Sequence, residues 1–310
     1  MDSSELYHIK QQFILGAYKA LTNLSPDPSS SEYVPTLLYR ARAYIALGDP
    51  QSAIDIIPSH SENVAFRAVI ALAQYVQASD AADRESSLEA LRDLSVEIEG
   101  DDVDGTDRDK AVVRVLAGTA FARAGEIEEA LETLGVDTQD LEAVAVVVQI
   151  FLSINRPDLA RKEFERSKQW AEDDLLLQLI ESSIDLVTGR DDYSNPQSFY
   201  TEQLGNPSLS SPHILTSRGV VRILQGEIPA ARSDLEEALQ EQAGDAETLA
   251  ACVVAAGLGL KRTEADELWD RLAVEHPAHP LVVDVMAKGV LFDSLVTKFE
   301  APPLASVAAA

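Results

Sequence analysis

An apolar helix followed at once by a second helix, in residues 141–171, is the feature that most constrains how this chain can fold. In its first half, apolar residues recur at the i, i+3, i+4, i+7 and i+8 positions of one helix face. They are Val144, Val147, Val148, Phe151 and Leu152, and Val146 and Ile150 add apolar side chains on other faces. A helix this apolar has to be covered on two sides.

A short break then separates the two helices. Asn155 tolerates the left-handed backbone that ends a helix, Pro157 suits a first helical turn, and Asp158 favours the positive end of a helix dipole. In the second helix, the small Ala160 is expected where the two helices approach closely, and Phe164 fills the space one turn later. The segment is therefore predicted to form a helical hairpin.

The same pattern recurs along the chain. Five hairpins align on a small residue after the turn, with a large apolar residue four positions later and a small or β-branched residue twelve positions earlier. The alanines are Ala53, Ala130, Ala160, Ala231 and Ala265; the large residues are Ile57, Leu134, Phe164, Leu235 and Trp269; the earlier residues are Ala41, Gly118, Val148, Gly219 and Val253. We expect the alanines and the large residues to pack the two helices of each hairpin together.

A helix-turn-helix unit of about 34 residues with small residues at the crossing resembles the tetratricopeptide repeat. Two longer gaps between the alanines leave room for degenerate hairpins at residues 62–98 and 173–204, and residues 6–24 form a degenerate first hairpin. The prediction is an all-α, tetratricopeptide-like α-solenoid over residues 1–300, with about eight hairpins in a right-handed superhelix that has a concave groove.

Three segments fall outside the repeat. Residues 97–109 form an acidic loop that faintly resembles a calcium-binding loop, but Gly100 and Ala111 stand where the first and twelfth ligands belong. Residues 281–300 are predicted to form a helix that caps the last hairpin; a partner-binding surface is the alternative. Residues 301–310 are expected to be disordered.

Composition limits the partners. The formal net charge is −27 and the isoelectric point is about 4.4. Without a basic patch, direct binding to nucleic acid or to a bare anionic membrane is disfavoured. The acidity indicates either a solvated, self-repelling surface or a basic protein partner. The N-terminal sequence has neither the basic region nor the apolar region of a secretory signal, which predicts a cytosolic protein.

Residue patterns that carry chemistry are scarce. His276 and His279 lie in a turn with Pro277 and Pro280 rather than on one helix face, so they do not predict a metal site. Residues 257–262 begin like a dinucleotide-binding loop but lack its third glycine. Cys252, the single cysteine, lies among alanines and valines and is expected in the core. We predict no catalytic site, metal or cofactor.

The groove of a tetratricopeptide-like superhelix is lined by the first helix of each hairpin. The positions expected to face it lie eleven and fifteen residues before each aligned alanine. They are Arg42, Thr119, Gln149, Val220 and Val254, and Leu38, Val115, Ala145, Thr216 and Ala250. These side chains are mostly neutral, which suits an apolar segment better than a terminal carboxylate, because a carboxylate needs converging Lys and Arg. The alternative is that they only pack against neighbouring helices.

Several stretches resemble one family more closely than a generic repeat does. The sequences FILGAY at 13–18, LYRA at 38–41, VQIFL at 148–152 and RPDLARKE at 156–163 are similar to those of the epsilon subunit of coatomer. The ending is similar too, at His276, His279, Pro280, Lys288, Phe292, Asp293, Leu295 and Val296. The similarity spans nearly the whole chain.

The resemblance implies a non-catalytic subunit of the COPI vesicle coat, acting in Golgi-to-ER retrograde and intra-Golgi transport. It also implies a heterodimer with the alpha subunit, whose C-terminal region the superhelix encircles, and contact with membranes only indirectly, through other coatomer subunits. A peptide-binding adaptor or co-chaperone is the alternative, which a basic groove would favour. An enzyme is a third reading, and no motif supports it.

Overall fold

Helices make up the regular structure of this protein. The computed structural model describes residues 3–59, 61–100, 105–135 and 137–299, and in these ranges it contains seventeen α-helices and no strand. They are α1 (Ser4–Ile14), α2 (Tyr18–Thr22), α3 (Tyr33–Ala46), α4 (Pro50–Asp55), α5 (Val64–Gln77), α6 (Ala81–Glu97), α7 (Asp107–Ala124), α8 (Ile127–Leu134), α9 (Leu141–Ser153), α10 (Pro157–Ala171), α11 (Leu175–Thr188), α12 (Ser194–Leu204), α13 (Pro212–Leu224), α14 (Ile228–Glu241), α15 (Ala246–Leu258), α16 (Arg262–Glu275) and α17 (Pro280–Val296). The predicted all-α class is confirmed.

Consecutive helices pack in pairs, from α1 with α2 to α15 with α16, and α17 follows the last pair. The turn inside five of these pairs has one residue with positive φ, always five positions before the aligned alanine. These residues are Gly48, Gly125, Asn155, Gly226 and Leu260. A left-handed residue ends the first helix and redirects the chain into the second. The repeat is therefore encoded in the turns as well as in the helix faces.

Close contact at the helix crossing joins the two helices of a pair. A Cβ added at Gly118 would lie 2.5 Å from Leu134 Cγ, and one added at Gly219 would lie 2.9 Å from Leu235 Cγ. The position twelve residues before the aligned alanine thus touches the large residue four positions after it.

Burial of these positions is nearly uniform. Ala53, Ala130, Ala160 and Ala231 are fully buried, and the large residues of the same hairpins, Ile57, Leu134, Phe164 and Leu235, are buried as well. In the last pair, Ala265 and Trp269 are only half-buried, because little chain packs beyond it.

The stack curves toward its first helices. From α3 to α11 the first helix of each pair contacts the first helix of the next, and α13 contacts α15; the second helices contact one another less. When one helix of each pair lies closer to its neighbours than the other does, the stack bends toward that side. The first helices therefore line the inside of the curve.

Helices α1 and α2 do more than begin the stack. Leu15, which follows α1, is fully buried in a cluster with Phe199, Tyr200 and Ile214 from the sixth and seventh pairs. The Ser211 hydroxyl donates a hydrogen bond to the Leu15 carbonyl, and further bonds run from Gln12 to the Ser208 carbonyl and from Lys19 to the Glu241 carbonyl. The N-terminal hairpin therefore bridges the inside of the curve.

A buried polar cluster fixes the same region. Glu142 on α9 accepts hydrogen bonds from the Tyr39 hydroxyl, at 2.7 Å, and from Arg42 on α3, at 2.6 Å. The Arg42 guanidinium also lies 4.4 Å from the centre of the Phe13 ring. Burial opposes ionisation of Glu142, but Arg42 and the Tyr39 hydroxyl outweigh it and lower the pKa of this carboxyl. Burial raises the pKa of nearby Asp140.

The predicted acidic loop at residues 97–109 is shorter in the structure than the sequence suggested. Helix α7 begins at Asp107, inside the predicted acidic loop, because Thr106 and Asp109 form a capping box. Residues 101–104 of that loop, His60 and the predicted disordered tail at 301–310 lie outside the described residues.

The predicted C-terminal helix is α17, but its packing over the last hairpin is limited to the first turn. Leu281 and Val282 join the core formed by Leu249 and Leu272, whereas the side chains that follow are exposed. None of the helices that the structure describes is both long enough and apolar enough to cross a bilayer.

The crossing in the central hairpin can be tested with Ala160→Glu. The side chain is fully buried, so the variant places an unpaired carboxylate against Phe164, and we expect a loss of roughly 3–5 kcal/mol in the free energy of unfolding. Thermal and denaturant unfolding measure it. The matched control is Ala82→Glu, at an exposed position in the first turn of α6, where an acidic side chain is tolerated. Equal stability of the two variants would contradict the alignment.

The polar cluster predicts a pH dependence. Glu142→Gln leaves the buried Arg42 without a counter-charge, and we expect a loss of roughly 2–4 kcal/mol near neutral pH. Because the folded state lowers the pKa of Glu142 from its usual 4.5, the wild-type advantage is complete above that pH and disappears as the pH falls through the folded value. Denaturant unfolding between pH 3 and 7 checks this, with exposed Glu89→Gln as control. A difference that stays constant with pH would argue against the ion pair.

Candidate partner-binding groove

The inner face of the curve is the candidate site, and the structure divides its expected residues into two groups. Leu38, Val115 and Thr216 are buried, and Thr216 shares a 2.7 Å hydrogen bond with Thr248 on α15. Arg42 is engaged with Glu142 and Phe13. These four side chains bind other parts of this chain, because the N-terminal hairpin and neighbouring first helices cover them.

Ala250 is also buried, and the remaining expected residues reach the surface. Gln149 is exposed, Val254 is 39% exposed, and Thr119 and Val220 are half-buried. They lie on α7, α9, α13 and α15.

A cavity of about 470 Å³ lies between α7, the start of α8 and α9. It brings Thr119, Ala145 and Gln149 together, three residues that the repeat alignment assigned to the inner face. Val146, Ile150, Ala122 and Ile127 make the lining largely apolar, and Arg123 and Ser153 also belong to it. Such a surface can accept an apolar side chain from an extended partner segment.

The two hydroxyl groups that line the cavity are not arranged as nucleophiles. The Thr119 hydroxyl donates to the Val115 carbonyl at 2.6 Å, and the Ser153 hydroxyl donates to the Ile150 carbonyl at 2.8 Å. Each hydroxyl is thus held by its own helix rather than by a base.

Cysteine and histidine side chains outside the cavity, which could in principle carry chemistry, have structural roles. Cys252 is buried, and burial raises the pKa of its thiol to about 11, which keeps it protonated. The His279 ring accepts a hydrogen bond from the Leu281 backbone N–H and caps α17, while His276 bonds the Gly244 carbonyl. Among the described residues, no group of three His, Cys, Asp or Glu side chains is placed to hold a metal ion.

Sequence reasoning missed the N-terminal hairpin as part of the inner face. The first hairpin was expected only as a degenerate repeat, and its contacts with Phe199, Tyr200 and Glu241 join positions that lie far apart along the chain, 222 residues in the case of Lys19 and Glu241. The one local signal is that Leu15, Gly16 and Ala17 are apolar or small just where a repeat turn would be expected to be polar.

Solved structures similar to this one are helical repeat proteins. A tetratricopeptide repeat protein from Parabacteroides merdae aligns with a TM-score of 0.56 at 12% identity, covering 82% of this chain and 97% of that one. A chain of the APC/C Cut9–Hcn1 hetero-tetramer aligns with a TM-score of 0.54 at 14% identity, covering 90% of this chain and 53% of that one. These similarities confirm the tetratricopeptide-like solenoid and concern the fold alone.

Sequence comparisons identify the family. The family model of the coatomer epsilon subunit matches residues 2–300. Coatomer subunit epsilon-1 of Arabidopsis thaliana is 32% identical over 280 residues, which are 89% of this chain and 91% of that protein. Coatomer subunit epsilon of Caenorhabditis elegans is 26% identical over 301 residues, covering 95% and 98% of the two chains. The chain therefore belongs to the coatomer epsilon subunit family.

Proposed function

We propose that this protein is a non-catalytic structural subunit of the COPI coat that holds the C-terminal region of the alpha subunit against its inner face. Membership of the coatomer epsilon family supports the role in the coat. The binding mode is our inference from the groove. The single observation that carries it is the apolar cavity between α7 and α9, where three inner-face residues meet.

Charge supports a partner segment that is buried along its length. Arg42, a cation predicted for the inner face, is neutralised by Glu142, and Arg123 is the one cation among the described residues that line the cavity. A groove that clamps a terminal carboxylate needs several converging cations. We therefore favour an apolar, extended or hairpin segment of the alpha subunit over the charged peptide ends that adaptors and co-chaperones bind.

In this proposal the subunit stabilises the coat in Golgi-to-ER retrograde and intra-Golgi transport. It is cytoplasmic, lies peripherally on Golgi membranes and COPI vesicles, and reaches the membrane through other coatomer subunits. The net charge of −27 supports indirect contact, because a chain this acidic is repelled by anionic lipid surfaces.

Co-purification with the C-terminal region of an alpha-coatomer subunit, followed by calorimetry, tests the partner. We expect a 1:1 complex whose binding has a negative heat-capacity change, since apolar surface is buried. No complex at micromolar concentrations would refute the proposed partner.

The inner face is tested by Val220→Glu combined with Val254→Glu. Two carboxylates on α13 and α15 oppose burial of an apolar segment, so we expect binding to the alpha region to be lost while the helix content measured by circular dichroism is kept. The matched control is Val96→Glu combined with Val274→Glu, at exposed positions on the second helices α6 and α16. Full binding by the first double variant would exclude this part of the inner face.

The cavity is tested separately with Ala145→Trp. The larger ring would occupy the space between α7 and α9, and we expect affinity for the alpha region to fall at least tenfold, by about 1.4 kcal/mol. Ala124→Trp, at the exposed end of α7, is the control for adding a tryptophan nearby. Unchanged affinity of Ala145→Trp in calorimetry would show that the partner does not enter the cavity.

A further inference from the structure

The C-terminal helix α17 carries the largest run of exposed apolar side chains in the part of the chain that the structure describes. In residues 283–299, which include most of α17 and the three residues after it, nine large apolar residues are 42–74% exposed. They are Val283, Val285, Met286, Val290, Leu291, Phe292, Leu295, Val296 and Phe299. Soluble proteins keep such a surface exposed mainly where another chain covers it.

The spacing of the apolar residues defines one seam. Val282, Val285, Gly289, Phe292, Val296 and Phe299 follow one another at steps of three, four, three, four and three residues. This is the a and d pattern of a coiled coil, over about two and a half heptads. Val282 packs against the last hairpin, and the seam is open from Val285 onward.

Gly289 is the informative member of the seam. Glycine disfavours the middle of a helix, and, apart from its chain neighbours and the nearby backbone of α17 itself, none of the described residues comes within 4 Å of a Cβ placed there. The glycine therefore leaves an open hollow beside Phe292, which is 65% exposed. The hollow admits a large side chain from outside, and the helix itself presents such a side chain one turn away.

We propose that α17 pairs with α17 of a second copy of this chain as a short antiparallel coiled coil. In an antiparallel pair, a positions face d positions of the partner helix. When the two-fold axis passes midway between residues 290 and 291, Phe292 of each copy enters the hollow at Gly289 of the other. The same register places Val285 against Val296 twice, so the seam is complementary to itself.

The charges on and near α17 favour a second copy of this chain as the partner and an antiparallel orientation of the two helices. Residues 280–299 contain Asp284, Asp293, Lys288 and Lys298, which sum to zero in a chain whose net charge is −27. Two copies can therefore approach here without local repulsion. An antiparallel pair also places the two acidic solenoids at opposite ends, whereas a parallel pair would crowd them at one end and set Gly289 against Gly289.

Sedimentation-velocity ultracentrifugation of the full chain over a wide micromolar range is the first test. The seam is short, so we expect a weak, concentration-dependent dimer that becomes tighter as added salt screens repulsion between the solenoids. Phe292→Glu should be monomeric throughout. Leu291→Glu, next to it but off the seam, should dimerise like the wild type, and both variants should keep the wild-type circular dichroism spectrum.

Cross-linking tests the register. Val285→Cys combined with Val296→Cys should form a covalent dimer under mild oxidation, because the two thiols meet across the axis and lie too far apart to join within one helix. Neither single variant should cross-link efficiently, and the native Cys252 is buried. Efficient cross-linking of Val285→Cys alone would indicate a parallel pair and overturn the proposed register.

Two further results would overturn the proposal itself. One is a wild-type chain that stays monomeric at all concentrations. In that case, loss of binding to the alpha-coatomer region by Phe292→Glu would assign the seam to a different partner. The other is a dimer that persists in Phe292→Glu, which would place self-association elsewhere. Neither result bears on the inner-face proposal, which rests on Val220, Val254 and Ala145.

Discussion

The solenoid depends on close approach of the two helices within each pair. Gly118 and Gly219 allow Leu134 and Leu235 to lie against the backbone of the facing helix, and no larger side chain fits there. The contact places each second helix at a fixed distance from its first helix, so that the pairs can stack and bury a continuous core. The stack of pairs determines where the groove, the N-terminal hairpin and the exposed C-terminal helix lie.

The curvature of the stack brings residues that are far apart in the sequence into contact. Because the first helices lie on the inside, Arg42 and Glu142 meet although they are a hundred residues apart, and Leu15 reaches the core formed by the sixth and seventh pairs. The N-terminal hairpin thereby occupies inner surface that simple repeat logic assigns to a partner. What remains accessible is concentrated on α7, α9, α13 and α15, and it is largely neutral in a strongly acidic protein.

The two ends of the chain are finished in opposite ways. The N-terminal hairpin is buried against distant pairs, whereas α17 packs at Leu281 and Val282 and then exposes its seam. An α-solenoid has no natural end, because each pair offers its neighbour an apolar face, and terminal repeats must be covered or made polar. Among the described residues, one end is covered by other parts of the chain, and the other exposes the apolar side chains of α17.

The sequence alone determined the fold class, the hairpins and most of the contacts within them, because these follow from the spacing of neighbouring residues. The small and large residues at the crossings and the glycines in the turns are local signals of this kind. Only the tertiary structure decided which first-helix residues stay accessible. Burial of Leu38 and the pairing of Arg42 with Glu142 depend on how far the stack curves. Curvature sums small rotations between pairs, and no local sequence pattern specifies that sum.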